Sequence, residues 1–151
     1  MTDNDIRNIA VDNYQAALAQ DPQSLLQVNA IVIEGDLIKR NVTAGLTSNY
    51  RFYLGLVDGD FFDASEQEVI EQTWEQEDDI RLDRVKWMMG YLLLSYQSLD
   101  EAEMIELINF IKTRAGRALN AAIFEGFGAM YGDISYTLGG AVALNMVASD
   151  L

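Results

Sequence analysis

The 151-residue chain contains neither cysteine nor histidine and has a single proline, Pro22. Without cysteine there is no disulfide framework, no thiol nucleophile and no thiolate metal site. Without histidine, the commonest general base and the commonest metal ligand are gone. Basic residues are scarce as well: 10 Lys and Arg against 24 Asp and Glu leave a net charge of −14. A surface that negative repels phosphate backbones and anionic headgroups, which argues against nucleic acid and direct membrane docking. Long apolar runs are missing too. The most apolar stretch, Tyr136 to Ala148, is shorter than the ~20 residues that a membrane span requires. The opening Met1-Thr-Asp-Asn-Asp has neither the basic nor the apolar region of a signal peptide.

What is present points to helices. Half of the residues are hydrophobic and 10% are aromatic, enough to build a core in a chain of this length. Strong helix formers dominate, and no alternating β-branched runs occur. The most sustained pattern lies in the last third, where Leu119, Ile123, Phe127, Met130, Ile134, Leu138 and Val142 recur at steps of three or four. That spacing places them on one helical face, widened by Phe124 and Tyr131, and predicts a long helix against which the others pack.

Upstream, Asp3 or Asp5 can cap a first helix with Ile6, Ile9, Ala10, Tyr14, Ala17 and Leu18 on one side. Asp21-Pro22 reads as an N-cap followed by proline at the first helical position. A second helix through Leu25, Leu26, Val28 and Ile31 reaches about Glu34. A break at Gly35-Asp36, with Asp36 as a new cap, opens a third helix over Leu37–Val57, which Asp58-Gly59-Asp60 ends. Ser65 and Glu68 form a capping box for a fourth helix on Val69, Ile70, Thr73 and Trp74. A joint follows at Glu75, Glu77, Asp78 and Asp79. A fifth helix runs from Ile80 to Tyr96, and Ser98 with Glu101 reads as a second capping box, opening a sixth helix on Met104, Ile105, Ile108 and Ile111. Thr113 caps the last helix. The prediction is a single all-α domain over 1–151, a bundle of about seven helices around a long C-terminal helix.

Several groups invite a chemical reading. Gly126, Gly128 and Gly132 miss the spacing and the strand-to-helix setting of a dinucleotide loop, and with Gly139 and Gly140 they read better as sites of close helix approach. Glu75, Glu77, Asp78, Asp79 and Asp83 lack the register of a calcium loop and read as a solvated joint. From Asp60 to Glu106 there are 14 acids and 3 bases, so −11 of the −14 sits there. No pair of carboxylates is singled out for glycosidase chemistry. Trp74, Trp87 and Tyr91, with Tyr50, Phe52 and Tyr53, are either plain core or the lining of an apolar pocket between helices. Arg117, one turn into the last helix and beside Gly116, is either a structural tie or an anion anchor.

The run Leu99–Leu119 resembles the bacterial family called domain of unknown function 2059. The hallmark there is an acidic capped helix ending in an aromatic residue, then serine or threonine, a small pair containing glycine, and a new helix. Phe110, Thr113, Ala115, Gly116 and Leu119 match it. Asp36, Asn41, Asn49-Tyr50, Phe52-Tyr53, Gly55, Trp74, Gln76-Glu77, Ile80-Arg81, Ile134-Ser135 and Leu138-Gly139 resemble the C-terminal module of alphaproteobacterial members, so the likeness covers Leu25 to Ala141. Family members often carry proline where this chain has Asp78, which leaves room for a continuous helix there. The resemblance implies an all-helical protein secreted across the inner membrane, periplasmic, without assigned activity, and here the C-terminal module of a longer precursor.

The functional expectation is a non-enzymatic interaction module that binds itself or another envelope protein, with Leu138, Val142 and Met146 at the interface. The alternative is a carrier of a small apolar ligand, held by Trp74, Trp87 and Tyr91 with Arg117 nearby. No catalytic residue, metal site or cofactor is expected.

Overall fold

A computed structural model of the chain describes residues 3–149, with side chains described over 5–146. Asp3, one capping candidate for the first helix, and Val147, at the end of the apolar tail, lie outside the described side chains. Seven helices follow one another: α1 (Asp3–Gln20), α2 (Pro22–Glu34), α3 (Leu37–Asp58), α4 (Glu66–Trp74), α5 (Glu77–Tyr96), α6 (Glu101–Lys112) and α7 (Arg114–Ser149). Among the described residues there is no strand. The fold is therefore the expected all-α bundle, with a C-terminal helix of 36 residues. It divides into two compact units, one of Met1–Arg40 and Arg81–Ala121, the other of Asn41–Ile80 and Ala122–Leu151.

The first unit is built on Val28, Ile31 and Val32 of α2, Met88, Met89 and Leu92 of α5, and Met104 and Ile108 of α6, all buried. Spacings of three and four turn each set toward one side of its helix. Trp87 and Tyr96 pack against this core from its edge. On α1, Ala10 is fully buried, and a Cβ added at Gly90 of α5 would meet the Ala10 carbonyl. The absence of a side chain at Gly90 lets the backbones of α1 and α5 touch at Ala10. Ile9, Leu18 and Leu26, expected inward, are exposed because Ala10 and Val28 take the inward positions.

In the second unit Val42, Leu46 and Leu56 of α3, Val69 and Thr73 of α4, and Ala143 of α7 are buried. The Thr73 hydroxyl donates to the Val69 carbonyl (2.8 Å), so its burial leaves no polar group unmatched.

The helix ends show where local chemistry agrees with the sequence pattern and where it differs. Asp21 caps α2 by accepting from the Ser24 amide (3.1 Å), with Pro22 at the first position. Ser65 and Glu68 form the expected capping box on α4. The second box is shifted: Asp100 and Glu103, not Ser98 and Glu101, close the start of α6. Leu99 packs against the first core, which draws the chain in just ahead of Asp100.

Both Gly-Asp breaks occur as expected, but aspartate takes the left-handed conformation in each. Asp36 has φ 53° and Asp60 φ 59°, while Gly35 and Gly59 do not. At the end of α3, Asp60 N–H donates to Val57 C=O (3.0 Å) and Phe61 N–H to Leu56 C=O (3.0 Å), the paired bonds of a Schellman closure. Asp36 thus closes α2 instead of serving as a side-chain cap for α3. The acidic joint is a real break, two residues long, and α5 starts at Glu77, so Glu77, Asp78 and Asp79 occupy its first turn. Carboxylates there complement the positive end of the helix dipole.

Candidate functional site

The Thr113 joint sets the start of α7. The Thr113 hydroxyl donates to Phe110 C=O (2.7 Å) and accepts from Gly116 N–H (2.9 Å), serving the end of one helix and the start of the next. A side chain at Gly116 would collide with the Phe110 carbonyl. One turn on, Arg117 Nη1 lies 3.8 Å from Glu34 Oε2, and the Asn120 amide donates to Gly35 C=O at the end of α2. Arg117 is therefore next to a carboxylate, an arrangement that favours a tie over capture of an anion. Its side chain is 59% exposed, so that tie is a surface one.

Further along α7 the second unit is clamped by a crossing of α3 and α7. A Cβ at Gly139 would strike the Phe52 carbonyl, one at Gly55 the Tyr136 carbonyl, and one at Gly59 the Ala143 methyl. Beside these glycines, Arg51 pairs with Asp133 (3.2 Å) and its guanidinium stands over the Tyr136 ring, 4.7 Å from the centroid. The Tyr136 hydroxyl donates to Asp58 (2.7 Å), and that bond to an anion pushes the phenol above its ordinary pKa. Gly139 thus behaves as a close-approach glycine, as expected from sequence, and Gly55 is one that the sequence reading did not single out. Gly126 and Gly128 do not: an added Cβ would meet open space at both.

This clamp fixes which way α7 faces, and it overturns one expectation. Leu119, Ile123, Phe127, Met130, Ile134 and Leu138, predicted inward, are 43–55% exposed. Among the described residues, the buried positions of α7 are small: Gly116, Gly132, Gly139 and Ala143. Backbone contact through glycine, with the Arg51–Asp133–Tyr136 group beside it, wins the inward side, and the large apolar residues are left outside. Of the expected interface residues, Leu138 and Met146 are exposed on this helix and Val142 is half-buried. The sequence reading missed that the surface extends upstream to Ile123, Phe127, Met130, Tyr131 and Ile134. The available signal was the glycine-rich strip on the other side of the same helix.

The aromatic candidates belong to different units. Trp87 and Tyr91 stack one turn apart on α5 in the first unit, centroids 5.1 Å apart and planes 13° from parallel. Trp74 belongs to the second unit, where it lines a groove of about 270 Å³ between α3 and α4 with Thr43, Leu46, Thr47, Tyr50, Ile70 and Thr73. The Tyr50 hydroxyl donates to Glu66 (2.7 Å), which raises its pKa, with partial burial as a smaller cause. Asn49 donates to Gln76 (2.7 Å), fastening the α4–α5 joint to α3.

Two carboxylates at helix starts titrate low. Asp21 is lowered by its bonds to Ser24 and Glu68 by its bonds to Ser65. Among the described residues, no three acidic side chains converge as a metal site, and no helix is long and apolar enough to cross a membrane. No family model, curated protein or solved structure matches the chain.

Proposed function

We propose that the protein is a non-enzymatic helical module of the bacterial envelope that docks on a protein partner through the outward face of α7. One observation carries this reading: a run of large apolar side chains from Ile123 to Met146 stands exposed on a helix whose other side is clamped to α3. Monomeric soluble proteins rarely leave a contiguous apolar patch above a few hundred Å² uncovered, and larger ones mark interaction sites. The residue inventory supports a binding role over chemistry. With no histidine or cysteine, acid–base catalysis would need carboxylates raised toward neutral pH, whereas the shifted ones, Asp21 and Glu68, are lowered. The envelope location rests on the resemblance to the domain of unknown function 2059 family. The residues carrying it, Phe110, Thr113 and Gly116, have a physical reason to occur together at the α6–α7 joint.

A photo-crosslinking amino acid at Phe127, introduced in the source bacterium, tests the reading. A discrete covalent protein adduct is expected there and not with the crosslinker at exposed Glu101. The same absence of adducts at both positions would overturn it.

A second reading is favoured by the groove around Trp74. Apart from the Tyr50 and threonine hydroxyls its lining is apolar, which suits an uncharged lipophilic molecule. Such ligands should quench tryptophan fluorescence in the native chain and not in Trp74→Phe, which keeps Trp87. Equal quenching in both would sink this reading.

A further inference from the structure

The exposed face of α7 has a finer structure than a general apolar patch. Phe127, Met130, Ile134, Thr137, Ala141 and Leu144 are all exposed, at alternating steps of three and four. That is the 3.5-residue period of a seam between two supercoiled helices, with Tyr131 and Leu138 flanking it. A plain surface helix needs no such period on its solvent side. The seam calls for another helix of the same period, and nothing on α3's side of α7 supplies it.

We propose, building on the interaction-module reading, that the occupant is a second copy of this chain, its α7 lying antiparallel across the first about a two-fold axis between Ile134 and Thr137. Three observations select that occupant. The first is charge. Seam and flank carry no charged residue between Phe127 and Leu144, and the acid nearest the face, Asp133, is held by Arg51. A basic partner would be drawn to the acidic segment from Asp60 to Glu106, whereas two chains of −14 can approach best where each is neutral.

The second is shape. In an antiparallel pair the layers become Ile134 with Thr137, Met130 with Ala141 and Phe127 with Leu144, so no layer sets the bulkiest side chain against itself. A parallel pair would set Phe127 on Phe127 and Ala141 on Ala141, crowding one end and leaving the other slack. The Thr137 hydroxyl already donates to Asp133 C=O (2.9 Å), so it can enter the seam without losing a partner.

The third is area. Ile123, Phe127, Met130, Tyr131, Ile134 and Leu138, with Leu144 beyond, are 43–69% exposed. At roughly 100 Å² apiece these seven present about 700 Å², and exposed Thr137 and Ala141 between them bring the face close to the ~800 Å² per partner of a standard interface. A two-fold pair buries the same patch on both chains.

Because the chain has no cysteine, the geometry can be read with single introduced ones. Sedimentation velocity of the purified protein should show a dimer at micromolar concentration, and Ile134→Glu should be monomeric with an unchanged helical circular dichroism spectrum. Oxidation of Phe127→Cys mixed with Leu144→Cys should give a disulfide dimer, while Phe127→Cys alone should not, its two sulfurs being ~25 Å apart at 1.5 Å per residue. A monomeric wild type, a dimer that survives Ile134→Glu in a folded protein, or self-crosslinking of Phe127→Cys alone would each overturn the proposal. A photo-adduct at Phe127 with the mass of another protein would overturn it too and leave the interaction-module reading standing; no adduct at all would remove both.

Discussion

Glycines on α7 divide into two physical classes, and single substitutions separate them. Gly139 sits where a methyl group would press on the Phe52 carbonyl, a backbone atom that cannot swing aside. Gly139→Ala is expected to cost about 1–3 kcal/mol, the range for overpacking a close contact. Gly126 faces open space in mid-helix, so Gly126→Ala should stabilise by about 0.5–1 kcal/mol through propensity alone. Urea denaturation of the pair checks both signs at once; equal effects would mean that α3 and α7 do not touch at Gly139. Arg117 gives a third case at this scale. Its partner Glu34 is 3.8 Å away and its side chain is largely in solvent, so Arg117→Ala should cost no more than about 0.5 kcal/mol in the same assay. A loss of several kcal/mol would indicate a buried role that the exposure does not support.

At the scale of helices, much of the fold is legible in the sequence because caps and joints are local chemistry. Asp21-Pro22, the Ser65–Glu68 box and the Thr113 cap are all where residue type puts them. Thr113 makes the strongest case, since one hydroxyl serves two helices. Thr113→Ala is expected to cost about 1–2 kcal/mol, the upper part of the range for a lost cap, with Thr113→Ser largely restoring it in thermal melts. Sequence reading fails where the outcome depends on competition. Asp36 and Asp60 take the left-handed position that their neighbouring glycines could have taken, and at Gly59 the close Ala143 methyl shows why glycine is needed one residue earlier. Periodicity likewise identified the apolar stripe of α7 but could not assign its direction. It measures only how residues segregate around a helix, and Gly132, Gly139 and Ala143 on the other side offered a closer packing surface. The groove at Trp74 was half legible: Trp74 and Tyr50 are aromatics that the sequence singles out, but Thr43, Thr47, Ile70 and Thr73 carry no signal that sets them apart from other helical residues.

Two tyrosines of the second unit also carry a pH signature. Tyr136 donates to Asp58 and Tyr50 to Glu66, and each phenol is raised above an ordinary tyrosine. A raised acid favours the protonated form in the folded state, so the stabilisation is complete below the unfolded tyrosine pKa of ~10 and is lost as pH rises through the folded value. Ultraviolet titration of the phenols should show a fraction ionising late. Tyr136→Phe should remove part of that fraction and flatten the alkaline fall in stability. A titration identical to wild type would show that Tyr136 does not donate to Asp58 in solution.

For the whole molecule, charge decides how chains meet. Fourteen net negative charges on 151 residues make any encounter between two copies repulsive at long range, and the screening length controls that cost. It is ~30 Å at 0.01 M ionic strength and ~8 Å at 0.15 M, so added salt relieves most of the repulsion while leaving apolar burial intact. Self-association through a neutral α7 face should therefore tighten as salt rises, by roughly threefold to tenfold between those two conditions, since a relief of about 0.7–1.4 kcal/mol corresponds to that change. Docking of a basic partner onto the acidic segment would respond in the opposite sense, weakening with every increment of salt. Sedimentation equilibrium across a salt series separates the two without any mutation. A dimer that dissociates as salt is added would place ion pairs at the interface and move it off the Phe127–Leu144 seam.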